Sequence, residues 1–102
     1  MDNKKKTTIP CYIKHSKDVK GFSGSIDELA FAIGNTTYDT TVEFLGKLAD
    51  DYKRQADADK NKGRIQLATQ LYTTAEKLYE ARDAMQKARD ICKPYMQTIN
   101  KK

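Results

Sequence analysis

The chain has 102 residues, a formal net charge of +5, and 38% hydrophobic against 32% charged residues. This length fits one domain with a modest core, and so polar a composition is typical of a chain that is partly disordered or completes its core against a partner. No stretch approaches the roughly 18 apolar residues of a membrane span, and no apolar segment follows the basic run Lys4–Lys6 as a secretory signal would require, so we expect a cytoplasmic protein without a membrane partner.

Charge divides the chain into three parts. Residues 1–24 carry six lysines against two aspartates, residues 25–60 carry four basic against eight acidic groups, and residues 61–102 carry nine basic against four acidic groups. We predict a basic N-terminal arm over residues 1–24, partly disordered or extended, followed by a helical domain over residues 25–102.

The arm is the least helical part of the sequence. Pro10 and two glycines interrupt it, and its apolar residues are mostly β-branched or aromatic. We expect disorder to about Thr8, followed by either an extended segment or a small hairpin in which residues 12–14 face residues 19–20 around a turn at residues 16–18.

A short first helix is predicted over about residues 26–34. Ser25 followed three residues later by Glu28 forms a capping-box pattern, and apolar residues then recur at helical spacing. Gly34 and Asn35 supply the stop signal. So short a helix is not stable without packing.

A second helix is predicted over about residues 39–57. Val42, Leu45, Ala49 and Tyr52 follow the alternating three- and four-residue spacing of one helix face. The run from Asp57 to Gly63 has no apolar periodicity, and it indicates a turn centred near Asn61.

The third helix, over about residues 64–93, has the strongest pattern. Two sets of residues, each spaced by seven positions, together form a heptad repeat, which predicts a contact seam on one face of the helix. The first line is Leu71, Leu78, Met85, Cys92 and Ile99, and the second is Leu67, Thr74, Ala81, Ala88 and Tyr95. A second stripe, comprising Ile65, Ala68, Tyr72, Ala75 and Tyr79, widens the apolar face in the first half only. Pro94 predicts a kink, a restart or an end near Lys93.

The fold class is therefore all-α, an antiparallel helical hairpin whose acidic second helix packs on the basic third helix. A turn at Asn61 puts Asp39 opposite about Asp83, so the third helix should extend beyond the second by roughly ten residues, or about 15 Å. We expect self-association, most simply as a dimer, to complete the bundle. The predicted partner or oligomer interface consists of Tyr72, Tyr79, Met85, Ala88, Cys92, Tyr95, Met96 and Ile99.

The sequence offers little chemistry for catalysis. His15 is the single histidine, and Cys11 and Cys92 stand too far apart for a metal-ligand pair. We expect free thiols, a solvated His15, no metal and no cofactor, and thus no enzyme. A small enzyme that uses Cys11 or His15 is the least favoured alternative.

Basic residues support a second hypothesis, the binding of nucleic acid or a phosphorylated small ligand. A row of cations can follow a phosphate backbone, although the same row could simply face the acidic second helix. The candidate anion-binding residues are Lys4, Lys5, Lys6, Lys14, Lys17, Lys20, Arg82 and Arg89.

The leading functional hypothesis is a non-enzymatic helical interaction module. Such an accessory, adaptor or inhibitor-type protein would act through its helix surfaces and basic arm, on itself as a homo-oligomer and on an unknown protein partner. The hypothesis rests on size and fold class alone.

Overall fold

The structure, a computed structural model, describes the backbone of residues 15–100 and the side chains of residues 15–93. Helix α1 spans Ile26–Gly34, α2 spans Tyr38–Asn61 and α3 spans Ile65–Asn100. The described residues contain no strand, which confirms the all-α class. The described part of the chain divides into two compact units, with the boundary between Ala32 and Ile33.

Helix α1 has the predicted bounds and the predicted cap. The backbone N–H of Ser25 donates to Glu28 Oε1 at 2.7 Å, and the backbone N–H of Glu28 donates to Ser25 Oγ at 3.1 Å. This reciprocal pair satisfies two donors that the first turn would otherwise leave free. Asp27 and Glu28 also place negative charge at the positive end of the helix dipole.

The segment before α1 contains turns. The N–H of Phe22 donates to the carbonyl of Val19 at 3.1 Å, and Gly21 has a positive φ of 86°. Residues 19–20, predicted as one strand of a hairpin, are therefore not a strand, because the carbonyl of Val19 accepts a hydrogen bond within this turn. Residues 12–14, the other half of the predicted hairpin, lie outside the described residues.

Helix α2 is longer than predicted at its C-terminal end. Its first turn is capped by Thr37, whose Oγ1 accepts from the N–H of Thr40 at 3.1 Å. The helix then continues through the polar run to Asn61. The predicted turn over residues 57–63 is therefore wrong for residues 57–61, and only residues 62 and 63 of that range belong to the turn. Loss of apolar periodicity marks where a helix stops burying a face, and it does not mark where the backbone stops being helical.

The turn between α2 and α3 is fixed by Gly63. The N–H of Arg64 donates to the carbonyl of Asp59 at 2.9 Å, and the N–H of Gly63 donates to the carbonyl of Lys60 at 3.0 Å. Gly63 lies in the left-handed region with φ 83°. These features define a Schellman motif, which ends a helix while satisfying its last carbonyls.

Helix α3 continues past the proline that was expected to end or kink it. The backbone is helical through Pro94 to Asn100, so the predicted end or restart near Lys93 is wrong, whereas a kink there stays a prediction. A proline removes one hydrogen bond from the helical ladder, and the N–H groups of the following residues resume it.

The two long helices pack antiparallel around a line of alanines. Within residues 15–93 the only buried residues are Ala49 and Ala56 on α2 and Ala68 and Ala75 on α3, each at most 2% exposed. The centre of the contact on α3 is thus the second apolar stripe. The heptad seam was expected at that centre, but Leu71, Leu78 and Met85 are only half-buried.

Candidate interaction surface

One side of the hairpin, here called the polar edge, is joined by hydrogen bonds between the two helices. The Tyr72 hydroxyl donates to Asp57 Oδ1, and the Tyr79 hydroxyl donates to Asp50 Oδ1. Nearer the start of α2, Arg89 Nη1 contacts Asp39 Oδ1 at 2.8 Å. The acidic second helix and the basic third helix therefore do pair along a flank, as the charge pattern predicts.

These bonds also set the register of the hairpin. Asp39 lies opposite Arg89 and not opposite Asp83, because the turn covers residues 62–64 and is centred on Gly63, not on Asn61. Met85 and Ala88 consequently lie beside α2, where the predicted register had placed them in the overhang. The true overhang begins near Ile91 and extends to Asn100, roughly ten residues or about 15 Å.

The tyrosine–aspartate bonds raise the pKa of both phenols above the ordinary 10.0. The hydrogen bond to Asp57 is the largest cause of the raised pKa of Tyr72, followed by burial and by the aspartate charge. The pKa of Tyr79 is raised in the same way by Asp50, while nearby Arg82 acts in the opposite direction. Both effects favour the neutral, hydrogen-bond-donating phenol in the folded protein.

The two arginines of the predicted basic row already contact carboxylates of this chain. Arg89 Nε lies 3.0 Å from Asp90 Oδ1, in addition to its bond to Asp39. Arg82 Nη2 lies 3.1 Å from Asp83 Oδ1, and its guanidinium stands 4.9 Å from the centre of the Tyr79 ring. The geometry thus favours the reading in which this row lines the hairpin, although anion binding stays a prediction.

The opposite side of the hairpin is apolar. On α3, Tyr72 and Tyr79 lie to one side of Ala75, and Leu71 and Leu78 lie to the other, since each residue advances about 100° around the helix. On α2, Asp50 and Leu48 flank Ala49 in the same manner. Because the tyrosines bond to the aspartates, the two polar sides coincide, and the two leucine sides must coincide as well.

We call this side the apolar face. Its large side chains are half-buried, so each keeps part of its surface in water. At its outer border on α2, Phe44 is 39% exposed. The members of the apolar face are Leu45, Leu48 and Tyr52 on α2 and Leu67, Leu71, Leu78, Ala81, Met85 and Ala88 on α3.

The structure separates the predicted interface residues into three groups. Tyr72 and Tyr79 have their hydroxyls on the polar edge, whereas Met85, Ala88 and the half-buried free thiol Cys92 follow the side of α3 that carries the apolar face. The side chains of Tyr95, Met96 and Ile99 lie outside the described residues. The interface role of all eight residues stays a prediction.

Phe44 and Leu48 are not among the predicted interface residues, although the structure places Leu48 on the apolar face and Phe44 at its border. A signal for Leu48 was available, because Thr41, Leu48 and Gln55 repeat every seven residues, one position before Val42 and the buried Ala49 and Ala56. That signal could be recognised only once Ala49 and Ala56 were known to be the contact centre.

The N-terminal candidates are only partly described. Lys17, Lys20 and His15 are exposed, while Lys4, Lys5, Lys6, Lys14 and Cys11 lie outside the described residues. Among the described residues, no group of three or more His, Cys, Asp or Glu side chains is arranged to hold a metal ion. In that same part of the chain, no helix combines the length and apolar character needed to cross a membrane.

Comparisons with protein-family models, curated protein sequences and solved structures found no match to this chain. The class that the structure itself defines is a helical hairpin with one hydrogen-bonded polar edge and one half-exposed apolar face.

Proposed function

We propose that this protein is a non-enzymatic helical interaction module of the accessory, adaptor or inhibitor type, which acts through the apolar face of its hairpin. The observation that carries the proposal is the burial pattern of the described side chains. Only alanines are buried, while the leucines, Tyr52 and Met85 on one side of the hairpin remain half-exposed.

Because these large side chains are only half-buried, the hairpin by itself gains only part of the free energy that their full burial would provide. Full burial of a leucine or methionine side chain is worth about 1.5–3 kcal/mol, and buried alanines contribute far less because they have little apolar surface. Two α-helices that present a common apolar side are half of a four-helix bundle. Further helical surface would supply the other half, and self-association as a homo-oligomer is its simplest source.

The basic arm is the second contact region in this proposal. Lys17 and Lys20 are exposed in its described part. An arm with several lysines increases the rate of encounter with an acidic partner surface more than it increases final affinity.

The first test measures self-association by light scattering over a wide range of protein concentration. Leu48→Gln removes apolar surface from the apolar face while keeping good helix propensity, so this variant should dissociate at concentrations where the native chain stays associated. Lys47→Gln is the matched control, because it changes an exposed residue one position away and should leave the mass unchanged.

The second test is affinity purification from the native cell, with and without nuclease. Protein partners that survive nuclease and are lost with Leu48→Gln support the module. A chain that is monomeric at every concentration and recovers nothing but nucleic acid, with affinity that falls steeply as salt rises, would instead support the alternative of phosphate-driven binding.

A further inference from the structure

We infer that the apolar face is occupied by a second copy of this chain, related to the first by a two-fold axis that runs parallel to the helices. In this arrangement α2 of each copy packs against α3 of the other, and all four neighbouring helix pairs are antiparallel. The inference rests on the proposed function, since it specifies the partner and geometry of the same face.

Each residue of the hairpin has a height, which is its position along the common direction of α2 and α3. A two-fold axis parallel to the helices leaves height unchanged, so a residue of α2 meets, in the partner, the residue that stands at its own height on α3. The bond between Asp50 and Tyr79 and the bond between Asp57 and Tyr72 define those heights. The same register carries across the whole length of α2.

The residues that meet under this rule match in size and polarity. The side chains that point most directly out of the apolar face lie one position before Val42, Ala49 and Ala56 on α2, and one position before Ala75, Arg82 and Arg89 on α3. Leu48 then meets Ala81 of the partner subunit, a large residue against a small one. Gln55 meets Thr74 of the partner subunit, so that polar groups face each other. Thr41 meets Ala88 of the partner subunit.

The border of the face matches as well. Phe44, 39% exposed, lies within one residue, or about 1.5 Å, of the height of the exposed Ala84, so its ring would cover the small side chain of Ala84 of the partner subunit. Asp51 lies within one residue, or about 1.5 Å, of the height of Lys77, and in the dimer each would approach the opposite charge on the partner subunit. Asp51 also contacts Arg54 and Gln55 of its own helix, and these contacts hold the carboxylate in position.

The alternative axis is perpendicular to the helices and pairs α2 with α2 and α3 with α3. It would bring Phe44, Leu48 and Asp51 toward the same helix of the other copy and leave the small residues of α3 facing one another. Size and charge complementarity therefore both favour the parallel axis.

Cysteine cross-linking distinguishes the two axes in the full chain. In a background with Cys11→Ser and Cys92→Ser, one protein carries Leu48→Cys and another carries Ala81→Cys. Mild oxidation of their mixture should give a covalent dimer that contains one of each chain, whereas either protein alone should give little.

The result that overturns the inference is efficient cross-linking of the Leu48→Cys protein to itself, in a chain that light scattering shows to be a dimer. The proposed function would then still hold, but the two copies would be related by the perpendicular axis. A chain that stays monomeric at all concentrations overturns this inference together with self-association.

Asp51→Lys provides a second measurement that does not require cysteines. Two symmetrical like-charge contacts with Lys77 of the partner subunit should raise the dimer dissociation constant about tenfold. Mixing this variant with Lys77→Asp should restore association, because every contact is again between opposite charges. Glu43→Lys, the same charge change away from the face, is the matched control, and an equal effect of this control would contradict the assignment.

Discussion

At the scale of single residues, the hairpin depends on how small its buried side chains are. Ala49, Ala56, Ala68 and Ala75 occupy the contact between the helices and leave almost no surface in water. A β-carbon alone at these positions lets the backbones approach closely, and close-packed interiors respond to each added methylene group.

We therefore predict that Ala49→Leu destabilises the protein by about 1–3 kcal/mol, because three added carbons must force the helices apart or adopt a strained rotamer. Urea unfolding followed by circular dichroism measures the change. Ala58→Leu, on the same helix but exposed, should change stability much less. Equal stability of the two variants would show that α2 and α3 do not touch at Ala49.

The tyrosines of the polar edge predict a pH dependence in alkali. The pKa of each phenol is raised in the folded protein above 10.0, so the folded state holds the proton more tightly than the unfolded chain does. Their stabilising contribution is complete below pH 10 and disappears as the pH rises through the raised values.

The free energy of unfolding should consequently fall more steeply above pH 10 in the native chain than in the Tyr72→Phe, Tyr79→Phe double variant. Urea titrations at a series of alkaline pH values give the two slopes. Tyr52→Phe, on the other side of α2, should behave like the native chain. If the free energy of unfolding falls with pH at the same rate in the native chain and in the double variant, the hydrogen bonds of the two tyrosines to Asp50 and Asp57 are absent in solution.

At the scale of elements, the capping pattern predicts the start of α1, whereas the apolar pattern does not predict the end of α2. Ser25 and Glu28 gave the start of α1 because a capping box depends only on neighbouring residues. The predicted end of α2 is too early because Asp57 and Asp59 bury no apolar surface and so add nothing to the apolar pattern. Both are nevertheless held by hydrogen bonds: Asp57 accepts from the Tyr72 hydroxyl of α3, and Asp59 accepts from Arg64 Nη1 at 3.0 Å.

In the turn between α2 and α3, Gly63 has a backbone conformation that favours glycine. Its φ of 83° lies where a residue with a β-carbon is strained, and no heavy atom lies within 4 Å of the position that a β-carbon would take. Gly63→Ala should therefore cost about 1–2 kcal/mol from backbone strain alone, as measured by urea unfolding. Gly63→Asn should cost less, because asparagine tolerates this conformation better.

Gly34→Ala is the control for that measurement. Gly34 ends α1, has no positive φ and also has open space around it, so the alanine variant should be neutral or slightly stabilising. If Gly63→Ala proves equally harmless, the Schellman turn cannot be the feature that joins α2 to α3.

At the scale of the whole molecule, the proposed association would bury apolar surface that the contact between α2 and α3 leaves in water. Its internal contact buries alanines, whereas its larger apolar side chains remain half-exposed on one side. Burial of those side chains on a partner would add to the free energy of unfolding and make it depend on protein concentration.

The thermal unfolding midpoint of the native chain should thus rise with protein concentration, and the midpoint of Leu48→Gln should depend on concentration less. Circular dichroism at several concentrations measures both midpoints. A native midpoint that does not move with concentration would contradict self-association through the apolar face.

The sequence by itself determined that the chain is helical, where α1 begins and ends, and that an acidic helix is followed by a basic one. These properties follow from capping residues, helical periodicity and charge, all of which act between near neighbours in the chain. The tertiary structure decided which of two apolar stripes on α3 faces α2 and which stays open. Both stripes repeat with helical spacing, and only the register set by the turn at Gly63 and the bonds of Asp50 and Asp57 to the tyrosines selects between them.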